Sequence, residues 1–261
     1  MIDKPWSVVT GATSGIGASY ARFLASKGYN LLMVGRRKEK IEGLATNLTA
    51  VHGVITEVIL ADLSQVEDLE MVLERVSKLP KLRILINNAG FGLGAPVSDP
   101  ENEGRHIEML DVHVRAALRL IQTVLPLMFA QNEGIIINVS SISAYFPIPR
   151  GATYGATKAF LNLFSEALQL EVLDRGIKVQ ALCPGFTHTD FHERMGLQAK
   201  EIRWRNRLGW MDPDRLVRHS FSKLRSAKVV YIPGLKYKLL VRLATKIPKR
   251  LYYAAVRRIL R

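Results

Sequence analysis

The residues 154–158, YGATK, place a phenol and an ammonium four positions apart in the sequence. In a helix, residues four apart lie one turn apart on the same face, so Tyr154 and Lys158 would be neighbours. A nearby cation favours the phenolate form of a tyrosine, and a tuned phenol can transfer protons. The alternative is that the two side chains merely share a helix surface, so the rest of the sequence has to decide.

Short aliphatic or β-branched runs alternate with amphipathic stretches along the chain. The runs are almost entirely apolar, which is typical of parallel strands covered on both faces. This alternation predicts an α/β fold, a Rossmann-like doubly wound parallel sheet of about seven strands. The predicted strands cover 7–10, 30–35, 55–60, 84–87, 135–140, 178–183 and 229–232. The clearest amphipathic stretches cover 15–28, 65–78, 104–130 and 155–174.

Size and composition narrow the class of protein. The chain has 261 residues, of which 48% are hydrophobic, enough for one sizeable core. No apolar run reaches the roughly 18 residues of a membrane-spanning helix, and the early first strand leads us to expect no secretory signal. Cys183 is the single cysteine, which excludes an internal disulfide framework and favours a reducing cytoplasmic location.

The positive charge is concentrated at the C-terminal end. The formal net charge is +14, and Lys200–Arg261 contains 18 Lys and Arg against three acids. The first 199 residues are therefore close to neutral. This distribution is not typical of a uniformly basic nucleic-acid binder and indicates a near-neutral body with a basic C-terminal part.

A glycine-rich turn, TGATSGIG at 10–17, follows the first predicted strand and opens the first predicted helix. Gly11 would permit the tight turn, Gly15 a close approach of backbone to a pyrophosphate, and Gly17 close packing of helix on strand. The helix N-terminus would present free N–H groups to phosphates. The spacing is G-x-x-x-G-x-G rather than G-x-G-x-x-G, and an ordinary tight turn is the alternative.

The end of the second predicted strand, MVGRR, indicates which dinucleotide would bind. An acid near this point binds the adenosine ribose of NAD, whereas an arginine accommodates the 2′-phosphate of NADP. Here Gly35 stands at the acid position and Arg36 and Arg37 follow it. A guanidinium can hold a phosphate bidentately, and Ser14 would add a hydroxyl, so we predict NADP(H). The alternative is two solvated arginines at the start of a helix.

Four motifs occur in a fixed order: TGATSGIG, NNAG at 87–90, a serine thirteen residues before YGATK, and PGFTHT at 184–189. Together they resemble the short-chain dehydrogenase/reductase (SDR) family over about residues 5 to 195. The resemblance implies that Tyr154 is the general acid or base and that Ser141 orients the carbonyl. It also implies that Lys158 binds the nicotinamide ribose and lowers the tyrosine pKa. Ser140 is nearby, but the spacing favours Ser141.

The same resemblance implies further cofactor contacts. Asn88, Ala89 and Gly90 would form a wall, Asp62 would meet the adenine amino group or cap a helix, and Thr187 and Thr189 would contact the carboxamide. A simple Pro-Gly turn is the alternative for PGFTHT. The full predicted cofactor-binding set is Gly11, Thr13, Ser14, Gly15, Ile16, Gly17, Arg36, Arg37, Asp62, Leu63, Asn88, Ala89, Gly90, Tyr154, Lys158, Pro184, Gly185, Thr187 and Thr189.

His113 departs from the family pattern, which usually has asparagine at this position and uses it to hold a water of a proton path. In the family the main chain carries part of that job, so a histidine could keep the water, and a neutral imidazole also offers one donor and one acceptor. His113 is therefore the fourth predicted catalytic residue, as a relay member. The chain is then either an active enzyme with a varied relay or a weak or non-catalytic relative. His188 and His192 are four apart, but with no third ligand we predict no metal site.

The predicted substrate cover, 186–228, carries apolar residues that would either line a pocket or form the core of the cover. Phe91 and Leu93 are also predicted to face the site. A hydrophobic ketone or acyl substrate is the resulting hypothesis. The apolar residues of the cover are Phe186, Phe191, Met195, Leu197, Trp204, Leu208, Trp210 and Met211.

The sequence divides into a nucleotide-binding domain at 1–235 and a basic amphipathic extension at 236–261. Pro248 splits the extension into two predicted helices, and its 26 residues include nine basic residues and no acid. In the first helix an arc of Leu240, Leu243, Ala244 and Ile247 opposes one of Lys238, Arg242 and Lys246. Such a pattern suits an anionic membrane surface, but packing on the domain or on another subunit is equally favoured; nucleic acid is the least favoured partner.

These observations predict an NADP(H)-dependent oxidoreductase that interconverts a carbonyl and an alcohol, with a hydrophobic or lipid-like substrate for which a 3-oxoacyl group is one option. SDR proteins are usually dimers or tetramers, so we expect a homo-oligomer. The alternative function is a regulatory or membrane-associated protein that binds NADPH with little turnover.

Overall fold

The computed structural model of the protein describes residues 4–189, 209–226 and 228–259. Six predicted residues of the substrate cover and its surroundings lie outside these ranges. They are Phe191, His192, Met195, Leu197, Trp204 and Leu208.

The described chain forms one seven-stranded parallel sheet in the order β3-β2-β1-β4-β5-β6-β7. The predicted Rossmann-like sheet is therefore confirmed. The order reverses between β1 and β4, and ligands of such sheets bind in the crevice beyond the carboxyl ends of the strands at this point. The strands are β1 (Trp6–Thr10), β2 (Asn30–Gly35), β3 (Thr56–Leu60), β4 (Leu82–Asn87), β5 (Gly134–Val139), β6 (Ile177–Leu182) and β7 (Val230–Tyr231).

Helices connect the strands and continue after the last one. The α-helices are α1 (Gly15–Ser26), α2 (Lys38–His52), α3 (Val66–Ser77), α4 (Glu103–Leu110), α5 (Ala116–Gln131), α6 (Ala152–Glu171), α7 (Pro213–Lys223), α8 (Leu235–Ala244) and α9 (Lys249–Ile259). Two 3-10 helices cover Pro100–Asn102 and Ile142–Tyr145, and a π-helix covers Asp111–Arg115.

The helices cover both faces of the sheet, which explains the unbroken apolar character of its strands. In β1, Val8 packs with Leu120 and the rest of the α3, α5 and α6 side, whereas Val9 packs with Leu24 and the α1, α2 and α7 side. Successive strand residues point to opposite faces, so both faces need apolar residues.

The predicted helix 104–130 is divided into α4, the π-helix and α5. Together with the preceding 3-10 turn, Pro100–Gln131 is the one helical run of the described residues that is long and apolar enough to cross a membrane. Its α5 portion packs into the core, where Leu120, Val124 and Met128 are buried. The apolar character of this run therefore has an explanation in the packing of α5 on the sheet.

The basic extension packs on the domain through α8. Tyr237 and Val241 are buried and form a third apolar cluster with Ile142. The Tyr237 hydroxyl accepts a hydrogen bond from the Phe186 N–H at 3.0 Å and donates one to the Gly209 carbonyl at 2.8 Å. Leu243 and Ile247, predicted to share the arc of Leu240 and Ala244, are exposed. The inner face of α8 is thus centred on Tyr237 and Val241 rather than on the predicted arc.

Candidate active site

A cleft of about 320 Å³ opens at the carboxyl edge of the sheet, where the strand order reverses. All predicted cofactor-binding residues except Gly17 line it, as does Ser141. The fold therefore brings together segments that are up to about 175 residues apart along the sequence, between Gly11 and Thr189.

The glycine turn forms the floor of this cleft between β1 and α1. Gly15 has φ of +55°, a left-handed conformation that favours glycine. A Cβ on Gly15 would lie 2.7 Å from Cγ2 of Thr189, so backbone and Thr189 approach closely here. Gly17 lies behind the turn, where a Cβ would overlap the Gly11 carbonyl oxygen. Its role is close packing of α1, as the sequence predicts.

Asn88 holds the glycine turn from the neighbouring strand. Its Nδ2 donates to the carbonyl oxygens of Thr10 at 3.0 Å and Gly11 at 3.1 Å. In return, the Thr10 Oγ1 accepts from the backbone N–H groups of Asn88 and Ala89, both at 3.0 Å. Thr10 is a residue that sequence reasoning missed, because a threonine ending a buried strand carries no distinctive signal.

The start of α1 has the properties of a phosphate site. Ser14 is the N-cap residue, but its side chain makes no capping hydrogen bond; its Oγ accepts instead from Arg37 Nη2 at 2.6 Å. The same nitrogen donates to Thr13 Oγ1 at 2.6 Å. The first N–H groups of the helix and a guanidinium therefore lie at one corner of the cleft, and both favour a phosphate. A phosphorylated dinucleotide fits these residues.

Arg36 and Arg37 have different partners. Arg36 Nη1 forms an ion pair with Asp62 Oδ2 at 2.8 Å, while Arg37 contacts the glycine turn. Burial alone would raise the pKa of the Asp62 carboxyl, but hydrogen bonds from Arg36 and Ser64 together lower it. Asp62 also accepts from the N–H of Ser64, which closes the turn before α3, whereas Gln65 is the N-cap residue of α3.

Ser141 and Tyr154 meet at the mouth of the cleft. Ser141 begins the 3-10 helix Ile142–Tyr145, and its Oγ accepts from the Ser143 N–H at 3.1 Å. The Ser141 side chain also hydrogen-bonds the Tyr154 phenol. Ser140 is buried, also lines the cleft, and donates to the Lys158 carbonyl oxygen at 2.8 Å, so its hydroxyl supports α6.

The electrostatics of Tyr154 differ from the expectation drawn from the sequence. Burial raises the pKa of the Tyr154 phenol to about 12, although the hydrogen bond with Ser141 lowers it in part. Lys158 Nζ lies 5.7 Å from the centre of the Tyr154 ring and donates to the Val139 carbonyl oxygen at 3.0 Å. Burial lowers the pKa of the Lys158 ammonium to about 8. In the protein alone, desolvation outweighs the predicted lowering of the tyrosine pKa by lysine.

His113 has a tautomer that its hydrogen bonds determine. Its Nε2 accepts from the Phe91 N–H at 3.0 Å, so the proton must be on Nδ1. Nδ1 is 2.9 Å from Thr157 Oγ1 and donates to it, because that hydroxyl donates its own proton to the Tyr154 carbonyl at 2.9 Å. His113 thus connects the loop after β4 with the first turns of α6.

These contacts give the His113 ring a structural role, while its membership of a proton relay, to which the main chain could contribute, stays a prediction. Both ring nitrogens are engaged and the ring is buried, outside the lining of the cleft. Burial, followed by the nearby Lys158 charge, lowers the pKa of His113 well below its usual value. A neutral ring with these two hydrogen bonds positions Phe91 and Thr157. The π-helix Asp111–Arg115 carries this residue.

Other residues of the site gave little or no sequence signal. Arg105 lies over the Phe91 ring, 4.6 Å from its centre, and both line the cleft. Cys183 is buried beneath the site, donates to Asn162 Oδ1 at 3.1 Å, and has its pKa raised by burial to about 12. No group of three metal-ligating side chains occurs in the ranges that the structure describes.

Within the predicted substrate cover, residues 187–188 pair with residues 210–211. Thr187 forms a β-bridge with Met211, and the ring of His188 stacks on Trp210 at 5.2 Å. Phe186 and Met211 pack against the third apolar cluster beside α8 and do not line the cleft. Of the described apolar residues of this region, Phe91 lines the cleft and Leu93 does not.

Comparisons with known proteins agree with this architecture. The sequence model of the short chain dehydrogenase family matches residues 5–200. A very-long-chain 3-oxoacyl-CoA reductase-A from Danio rerio is 36% identical over 187 residues, which are 70% of this chain and 58% of that protein. The chain thus spans little more than half the length of that curated relative.

Two further proteins show the range of the similarity. An inactive hydroxysteroid dehydrogenase-like protein 1 from Homo sapiens is 33% identical over 85% of this chain and 66% of its own length. A solved short-chain dehydrogenase from Sphingobium yanoikuyae in complex with NADPH is 31% identical, with a TM-score of 0.80 over 94% of this chain and 96% of its own.

The contacts of His113 predict a large structural cost for its removal. His113→Ala would remove the acceptor of the part-buried Phe91 N–H and one of the two partners of the Thr157 hydroxyl, and it would create a cavity. We expect the free energy of unfolding, measured by urea denaturation, to fall by about 2–4 kcal/mol. The matched control His219→Ala removes an exposed imidazole and should change it by less than about 0.5 kcal/mol.

The same histidine predicts a pH dependence of stability. The folded pKa of His113 lies below its unfolded value, so its contribution is present above about pH 6.5 and is lost as the pH falls below that value. His113→Asn should make the decline of unfolding free energy below pH 6.5 shallower, by up to roughly 1.4 kcal/mol per pH unit. Parallel declines in both proteins would contradict a buried neutral imidazole.

Proposed function

Because the chain belongs to the short-chain dehydrogenase family, we propose that it is an NADP(H)-dependent oxidoreductase that interconverts a ketone or aldehyde and an alcohol. One observation carries the proposal. The phenol of Tyr154 is hydrogen-bonded to Ser141 and stands one helical turn from the Lys158 ammonium, at the mouth of a cleft whose floor is a glycine turn.

The chain's own residues divide the work of the reaction. A bound NADPH supplies the hydride that reaches the carbonyl carbon. Tyr154 donates its proton to the carbonyl oxygen, and Ser141 hydrogen-bonds the same oxygen and keeps the carbonyl in reach of the phenol. Lys158 stabilises the phenolate that remains on Tyr154. His113 acts as a positioning residue, through Thr157, on the turn of α6 that carries Tyr154.

The preference for NADP(H) over NAD(H) is proposed from the cationic corner of the cleft. Arg37 lies on Thr13 and Ser14 at the start of α1, and Gly35 precedes it where an acid would repel a 2′-phosphate. The Sphingobium yanoikuyae protein, which holds NADPH, supports this assignment. Arg36, paired with Asp62, would border the adenine side.

A hydrophobic or lipid-like carbonyl compound is the proposed substrate, with a 3-oxoacyl thioester as its most specific form. The similarity to the 3-oxoacyl-CoA reductase of Danio rerio supports this class. The aromatic ring of Phe91 in the cleft agrees with a substrate of low polarity. The second candidate, an NADPH-binding protein with little turnover, is favoured by the similarity to the human relative named inactive.

We also propose that the protein is a homo-oligomer in the cytoplasm, with a peripheral membrane contact through its C-terminal helices. Exposed leucines on and after the outer side of α6 support association between copies, because isolated domains rarely leave such a face uncovered. These are Leu163, Leu170 and Leu173. The membrane contact is argued separately below.

Tyr154→Phe tests the central role directly. Removing the phenol oxygen removes the proton donor, so we expect turnover of NADPH with a panel of hydrophobic ketones to fall about 100-fold or more. NADPH binding, followed by fluorescence titration, should be unchanged. The control Tyr29→Phe removes a phenol that does not line the cleft and should keep its activity.

Two results of that experiment would reject the assignment. Equal activity in the wild-type protein and Tyr154→Phe would remove Tyr154 from the chemistry. Tight NADPH binding by the wild-type protein without turnover of any carbonyl would instead support the second candidate function.

The pKa values of the pair predict opposite pH profiles for the two directions. Tyr154 stays protonated at neutral pH, whereas Lys158 loses its charge as the pH rises through about 8. We expect kcat/KM for carbonyl reduction to be flat below about pH 8 and to fall above it, since the ammonium then no longer stabilises the phenolate. Alcohol oxidation needs the phenolate and should increase with pH. A reduction rate that rises with pH would contradict this arrangement.

Arg37→Ala tests the cofactor preference. Loss of a charge-assisted contact to a phosphate costs about 1.5–3 kcal/mol, so Kd for NADPH should rise roughly 10- to 150-fold while Kd for NADH changes little. Arg36→Ala is the matched control and should have the smaller effect on NADPH, because its guanidinium is held by Asp62. Equal losses of NADPH and NADH affinity in Arg37→Ala would exclude a specific 2′-phosphate contact.

A further inference from the structure

Helix α8 has two apolar faces, and only one of them is covered by the described domain. Tyr237 and Val241 face inward and are buried. On the opposite side, Leu235, Leu239 and Leu243 recur every fourth residue and are 83%, 57% and 56% exposed. Residues at this spacing form a continuous stripe on a helix, so the outward face of α8 presents three leucines to solvent.

Cationic side chains surround this leucine stripe. Lys238 and Arg242 flank it on one side, Lys236 flanks it on the other, and all three are exposed. Residues 235–259 contain no Asp or Glu. The described basic residues of α9, Lys249, Arg250, Arg257 and Arg258, are also exposed, and so is Leu251.

We propose that the leucine stripe of α8 and the cations around it bind the surface of an anionic lipid bilayer, with α8 lying in the plane of the interface. Charge complementarity selects this occupant. A second copy placed face to face would bring two acid-free cationic helices together, whereas anionic headgroups neutralise the cations and the acyl region accepts the leucines.

Two contributions favour reversible binding. Burial of leucine side chains in the acyl region and attraction of Lys and Arg to anionic headgroups act together. Three exposed leucines and several cations therefore offset the cost of immobilising the protein on a surface. Neither the leucines nor the cations alone would give the same affinity.

The anchoring of α8 sets the orientation of the site on the bilayer. The inner face of the helix packs against Ile142, which follows Ser141, and the Tyr237 ring lies against Gly185 in the segment that lines the cleft. The lipid surface would therefore lie on the same side of the protein as the catalytic turn. This step rests on the proposed function: a substrate dissolved in the bilayer would reach the site from the interface.

Sedimentation with vesicles tests the proposal on the full chain, without any enzyme assay. The wild-type protein should cosediment with phosphatidylcholine vesicles that contain phosphatidylglycerol and not with phosphatidylcholine alone, and added salt should weaken the binding. Leu239→Ser/Leu243→Ser removes the centre of the stripe and should reduce the partition coefficient at least about tenfold.

The control pair is Val51→Ser/Ile55→Ser. These residues are 64% and 58% exposed, close to the values for Leu239 and Leu243, and they lie beside β3, at the sheet edge opposite β7 and α8. This variant should sediment like the wild-type protein. Lys238→Gln/Arg242→Gln should reduce binding to anionic vesicles roughly tenfold and should do so less at high salt.

Three results would overturn the proposal: no binding of the wild-type protein to anionic vesicles, equal losses in the leucine and control pairs, or binding independent of anionic lipid. A leucine pair that changes the oligomeric state and not the sedimentation would assign the stripe to a second copy. Circular dichroism checks that each variant is folded. Turnover of a water-soluble ketone by the leucine pair separates loss of membrane binding from loss of enzymatic function.

Discussion

The site depends on the burial of two ionisable groups side by side. Tyr154 and Lys158 share a water-poor edge of the sheet, and desolvation there disfavours the charge of each group. Hydrogen bonds offset part of this desolvation: the phenol bonds the Ser141 side chain, and the ammonium donates to the Val139 carbonyl. Burial makes the Tyr154 phenol a weaker acid, so proton transfer from it depends on groups that stabilise the phenolate.

Side-chain hydrogen bonds around this pair hold neighbouring backbone segments in position. The Asn88–Thr10 contacts tie β4 to β1 across the point where the strand order reverses, and His113 ties the loop after β4 to α6. Each tie uses a side chain to satisfy backbone N–H or carbonyl groups at the ends of strands, where the sheet no longer does so. The cleft thus remains open between elements that are fixed to each other.

The sequence was informative where local patterns determine structure. Unbroken apolar runs predicted the seven strands, and the glycine turn predicted the βα junction and the lining of the cleft. Long-range contacts could not be predicted from the sequence. Arg36 and Arg37 are adjacent and had the same predicted role, yet only the fold shows that Arg36 meets Asp62 and Arg37 meets Ser14. Likewise, a histidine in place of asparagine suggested a relay, and only the fold shows that its ring nitrogens meet the Phe91 N–H and the Thr157 hydroxyl. The arc predicted for α8 missed Tyr237 as its centre because a helix with two apolar faces gives no unique inner face.

Cys183 is wholly buried at the end of β6, between the strand and the Pro184–Gly185 turn, and burial keeps its thiol protonated at neutral pH. Thiol reagents react with the thiolate, so the folded protein should be nearly inert to alkylation until this edge of the sheet opens. The chain's single thiol is therefore an intrinsic reporter. Its labelling rate measures how often the edge of the sheet near Tyr154 opens, and a ligand that binds in the cleft and stabilises this edge will lower that rate.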